Sequence, residues 1–247
     1  MMATTSDLPH RQPYCGAAPD PAQWLAHWNW DPVLLLALAG LLVVGFRTSR
    51  ATVRSQFAAA AVMVALFVTP LCALGSALFL ARSIHHLALA FVLAPLLVAA
   101  IGARAFPTLR LSIATILQTA IFWLWHVPAL YDQALSSDLV FWAMQLSITA
   151  SAAVWWASLR RAGAMEAAAG LLAQMVQMGV LGALLVFAGR AFYAPHAHTT
   201  IAWGLTALED QQLAGLMMRV GGGGVYLLVA SAMLWHALAP TAAPRSA

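Results

Sequence analysis

Apolar residues fall in seven runs along the chain, near 32–47, 56–79, 84–102, 109–126, 139–158, 167–189 and 211–238, with short polar connections between them. An α-helix crosses the hydrocarbon core of a bilayer in about 20 residues, and the runs meet or approach that length. The pattern predicts an all-α, polytopic membrane bundle of seven transmembrane helices. The first run is short, and Trp28 and Trp30 extend it at the interface. The chain divides into a polar tail over 1–31, a transmembrane domain over 32–238 and a second tail over 239–247. The connections are too short for a separate soluble domain, and no internal repeat is visible.

Composition strengthens this picture. Hydrophobic residues make up 62% of the 247, charged residues only 8%, and the mean hydropathy is +0.81. A soluble domain carries about 25% charged residues, so this chain could not cover a water-facing surface. The net charge of +4 therefore bears on topology, and membrane lipid rather than nucleic acid is the expected surrounding. Arg47, Arg50, Arg54, Arg104, Arg110, Arg160, Arg161 and Arg245 fall on one side of the predicted bundle, and Arg11, Arg82 and Arg190 on the other. Eight against three places the N-terminus outside and the C-terminus in the cytoplasm. Residues 1–31 hold no apolar segment before Cys15, so neither a secretory nor a lipoprotein signal is expected. Cys15 lies in a polar tail and Cys72 in an apolar run, which reads as two unrelated free thiols.

That topology gathers polar chemistry on the outer side. Asp7, Asp20, Asp31, Asp132, Asp138, Glu209 and Asp210 all fall outside, and only Glu166 inside. His85 and His86 open the third run, His126 closes the fourth, His196 and His198 follow the sixth, and Asp210 opens the seventh. Imidazoles and a carboxylate at one mouth suit copper or zinc, and thioethers favour Cu(I). At helical spacing Asp210, Ala214, Met217 and Gly221 share a face, which adds Met217. His85 and His86 lie about 100° apart, so both cannot point squarely inward, and His86 with His126 is the preferred pair. His196 and His198 also read as ordinary polar residues of an outer loop. Arg219 lies nine residues below Asp210, where a charge needs a partner. Asp210 and Arg219 fall on opposite sides of one helix, so Asp132 or Asp138 is the expected partner.

In order and spacing, "WNWDPVLLLAL", "HHLALAFVLAPLL", "WLWHVPALYDQAL" and "YAPHAHTTIAWGLTALEDQQLAGLMM" resemble the seven-span CtaG family of cytochrome c oxidase assembly factors. The resemblance implies a non-enzymatic protein of the bacterial inner membrane that supports assembly of haem-copper oxidases and delivery of copper to them. Its implied partners are oxidase subunits and a periplasmic copper chaperone. It points to His86, His126, Asp210 and Gln211, with Tyr131 and Asp132 flanking them. Three positions depart from the family pattern. Arg82 stands where a histidine is frequent, Arg219 where a tryptophan is common, and Gly221 to Gly224 where proline-glycine is usual. Two other readings share these residues. A seven-span zinc metallohydrolase would use His86, His126, Asp132 and one of His196 or His198. A haem protein would use His86 and His126.

Overall fold

The computed structural model describes residues 13–48 and 53–238; Asp7, His10, Arg11, Arg50, Arg245 and the tail 239–247 lie outside it. Every regular element in the described residues is helical: α1 Pro32–Thr48, α2 Val53–Phe67, α3 Leu71–Ala77, α4 Phe79–Ala88, α5 Ala94–Ile101, α6 Leu111–Leu124, α7 Pro128–Ala134, α8 Asp138–Leu159, α9 Ala164–Val186, α10 Ala207–Leu216 and α11 Gly223–Leu238. Five segments of the described chain are long and apolar enough to cross a membrane: Val53–Ala77, Phe79–Ile101, Asp138–Leu159, Ala164–Val186 and Ala207–Leu238. Joined, α6 and α7 qualify as a sixth, bent by 76°, and the apolar part of α1, Pro32–Val43, is shorter.

Prolines set the irregular turns. Pro95 has no N–H to give to the preceding turn, and the helix widens into a π turn over Leu89–Leu93 just before it. The indole of Trp156 donates to Ala90 O at 2.8 Å and satisfies a carbonyl in that turn. Val127 precedes Pro128 and is extended (φ −68°, ψ 121°), so the α6–α7 chain turns a corner at His126. Between α3 and α4 only Leu78 is non-helical, and the chain reverses there. Close backbone packing holds α9 to α10. A Cβ at Gly182 would sit 2.6 Å from Gly215 O, and one at Gly215 the same distance from Gly182 O.

Hydrogen bonds sort the connections to two ends of the bundle. At one end Trp203 Nε1 donates to Pro19 O, Asn29 Nδ2 to Phe67 O, and Thr199 Oγ1 to Ala77 O. The Tyr14 hydroxyl donates to Asp31 and holds its carboxyl below the usual carboxylate range. At the other end Arg161 donates to the carbonyls of Ala103, Phe106 and Pro107 and ties two arginine-bearing connections together.

The structure corrects two expectations here. Cys15 and Cys72 form a disulfide and are not separate thiols. The bond spans 57 positions and pins the N-terminal segment onto the bundle, a pairing that two isolated positions could not announce. Nor does the third helix begin at residue 84: α4 starts at Phe79, so Arg82, His85 and His86 lie inside the bundle rather than at its lip. Polar residues end a hydropathy run, but they do not end a helix whose neighbours bury them. Arg82, counted above with the outer loops, is 1% exposed.

Candidate functional site

Four polar side chains of one helix, Arg82, Ser83, His85 and His86 of α4, are buried. Flanked by other elements on both sides, α4 can bury both histidines despite the 100° between them. His85 faces Phe67, with ring centroids 5.1 Å apart, and has Gln145 beside it. His86 faces His126 at 6.4 Å and lies 6.2 Å from His85, so three imidazoles form a chain through the interior. His126 sits at the α6–α7 corner, and its Nδ1–H donates to Phe122 O at 2.7 Å. That bond assigns the tautomer and leaves Nε2 with its lone pair.

Several polar atoms in this cluster are buried without a partner: both ring nitrogens of His85, Nε2 of His86, Nη1 of Arg82, and both side-chain amide atoms of Gln145. Buried polar groups are nearly always hydrogen-bonded, so such a concentration marks a place where water or an ion is accommodated. The Arg82 guanidinium is otherwise held by Nε donating to Gly75 O at 3.3 Å. Its Nη2 lies 3.9 Å from Cys15 Sγ, and its carbon sits 5.2 Å above the Phe141 ring centre. The disulfide and the N-terminal segment therefore lie against this cation.

The other candidates are used differently. Asp210 is fully buried, and its two oxygens accept from the backbone N–H groups of Phe79 at 2.6 Å and Leu80 at 3.1 Å. Leu78 has no side-chain acceptor for the first turn of α4, and the carboxylate of α10 takes that part across the fold. Gln211 Oε1 accepts from Phe192 N, and Nε2 donates to Leu185 O and Arg190 O, which fixes the α9–α10 connection. His196 is buried with both nitrogens engaged. Nε2 accepts from the Tyr131 hydroxyl at 2.8 Å, and Nδ1–H faces Ala77 O at 3.4 Å. Burial, with the Arg82 cation adding to it, pulls the His196 imidazole down to about 4. His198 is exposed and Asp132 is half-buried on α7.

Met217 is 39% exposed, whereas its neighbour Met218 is buried. The helix is regular as far as Met217, whose N–H still donates to Leu213 O, but its buried face is centred beyond Asp210: Gln211, Ala214 and Gly215 lead at i+7, i+4 and i+3 to Met218, not Met217. Arg219 lines a groove between α9 and α11, and neither Asp132 nor Asp138 is among the residues that line it. Sequence reasoning missed Arg82 and Gln145 as members of the cluster. Arg82 lies one turn before His86, where the family pattern has its additional histidine, and that spacing was the available signal.

Among the described residues no group of three or more His, Cys, Asp or Glu is placed to hold a metal ion. The donor set that remains is a pair of facing imidazoles. Zinc sites use three or four protein ligands, whereas Cu(I) is content with two. The Arg82 charge nearby also opposes a divalent ion more than a monovalent one.

Over residues 41–239 the chain matches the family model described as cytochrome c oxidase caa3 assembly factor (Caa3_CtaG). No curated protein and no solved structure matches it.

Proposed function

Since the chain belongs to the family of cytochrome c oxidase caa3 assembly factors, we propose that it supports oxidase biogenesis by holding copper, as Cu(I) cargo, between His86 and His126. The observation that carries this reading is the facing pair itself, 6.4 Å between ring centres, with His86 Nε2 buried and unpartnered. The bond from His126 to Phe122 O orients the second imidazole, as the outer partners of metal-binding histidines do. His85 and Gln145 continue the polar path on the far side of α4. The oxidase subunits are the recipients, and a periplasmic copper chaperone would be the donor. A zinc hydrolase is the weaker reading, because Asp132 and His196 are not gathered with the histidine pair.

The cluster lies toward the outer face of a bacterial inner membrane, in a chain of seven spans with the N-terminus outside. Two features support this orientation. With Arg82 inside the bundle, the arginine split becomes eight against two. The Cys15–Cys72 disulfide belongs to an oxidising compartment, so the end of the bundle that carries it faces outward. Reporter fusions test the placement. Fusions at Ala103 and Arg161 should read cytoplasmic, and fusions at Ser136 and Thr199 external. A cytoplasmic Ser136 would overturn the topology and the outer-face role together.

A further inference from the structure

Arg219 has no part in the copper reading. It is the thirteenth residue of Ala207–Leu238 and lies in the wide turn Met217–Gly222. At 1.5 Å per residue it is about 18 Å from one end of that segment and about 28 Å from the other. The side chain is exposed, and among the described residues it has no hydrogen-bonded or ionic partner. It lines a groove of about 460 Å³ between α9 and α11, with Val176, Gly179, Ala183, Gly223 and Leu227. A charge open to lipid at that depth is costly, and snorkelling would carry it only part of the way to a headgroup layer.

The missing counter-charge has few sources. A phospholipid phosphate stays in the headgroup layer. Among the described residues a second copy of this chain offers no carboxylate at that depth. Asp20, Asp31, Asp132, Asp138, Glu166 and Glu209 lie in loops or near helix ends, and Asp210 is committed to α4. What complements the groove is a carboxylate carried halfway along another protein's transmembrane helix. Gly179, Ala183 and Gly223 leave room for a close approach, and Val176 and Leu227 give the apolar rim.

We propose that the α9–α11 groove seats a transmembrane helix of an oxidase component whose mid-membrane Asp or Glu pairs with Arg219. The proposal rests on the assembly-factor reading and adds the surface through which it acts.

The test uses the full chain in its native membrane, with a photo-crosslinking residue at Val180 or Leu227. Irradiation should give an adduct with an oxidase subunit. Arg219→Leu and Arg219→Glu should each cut the adduct tenfold or more, and Arg219→Lys should keep part of it. The Arg219→Glu adduct should return when the subunit's carboxylate is changed to arginine. Arg219→Leu should accumulate at the wild-type level or above, because it trades a lipid-exposed charge for an apolar group. An undiminished Arg219→Leu adduct, adducts with lipid or a second copy alone, or loss of the Arg219→Leu protein would each overturn the proposal. Deletion of the gene separates the two readings. If deletion leaves the oxidase assembled, the assembly reading fails. If deletion abolishes assembly and the Arg219→Leu chain restores it fully, only the groove assignment fails.

Discussion

Replacing His86 and His126 together with alanine is expected to weaken Cu(I) binding by the purified protein well beyond tenfold. Losing even an outer-sphere partner of a metal-binding histidine costs about 10- to 100-fold, and this change removes both imidazoles. Because His86 is 2% exposed, the double alanine variant also leaves voids, so a gentler pair of changes is needed beside it. His126→Asn keeps an N–H near the position of Nδ1, able to donate to Phe122 O, while it removes the Nε2 lone pair. It should fold as wild type and still lose most of the affinity. Copper titration with a competing chelator, read beside thermal stability, checks both. A protein that binds Cu(I) at wild-type strength after both changes has its site elsewhere. Metal content by elemental analysis and the Soret region of the spectrum separate copper from the zinc and haem readings in the same preparation.

Asp210→Ala should have the largest effect on stability. The substitution leaves the N–H groups of Phe79 and Leu80 without their acceptor at the start of the helix that carries Arg82, His85 and His86. Each stranded buried donor costs about 1–3 kcal/mol, and the positive end of α4 loses its counter-charge. A combined loss of about 3 kcal/mol or more corresponds to a fall in apparent melting temperature on the order of 10 °C for a chain of this size. Asp210→Asn should lose less, because the amide retains an oxygen acceptor but puts an N–H against a donor. The sequence reading of Asp210 as a metal ligand predicts another outcome: Asp210→Asn would keep its stability and lose copper. Thermal unfolding and copper titration on the same variants separate the cap from the ligand.

The helical runs were legible because a bilayer demands long apolar stretches, and breaks fell where Pro95 and Pro128 forbid regular backbone. The pairing of His86 with His126 was suggested by the order of the runs and by the family resemblance, and the two rings lie 6.4 Å apart. Arg82 was not legible. A cation and two histidines in five positions look like a loop when burial by neighbouring helices cannot be seen. The same blindness left His85 out of the preferred pair, although α4 has neighbours on both flanks. Met217 displaced Met218 in the reading because the count was started from Asp210, which lies at one edge of the buried face of α10. Only from Met217 onward does the segment widen, and there the buried row continues in steps of four from Met218 through Gly222, Tyr226 and Ala230. The disulfide and the Asp210 cap join residues 57 and about 130 positions apart, and no local pattern encodes such pairings.

The central claim is that this chain serves oxidase assembly through its buried histidine pair. Haem-copper oxidase activity in membranes of a deletion strain, complemented with the wild-type chain or with His126→Asn and grown with and without added copper, tests it most directly. The account predicts activity lost on deletion, restored by the wild-type chain, and not restored by His126→Asn at limiting copper although that protein accumulates. Full oxidase activity in the deletion strain at limiting copper, or full rescue by His126→Asn there, would contradict it.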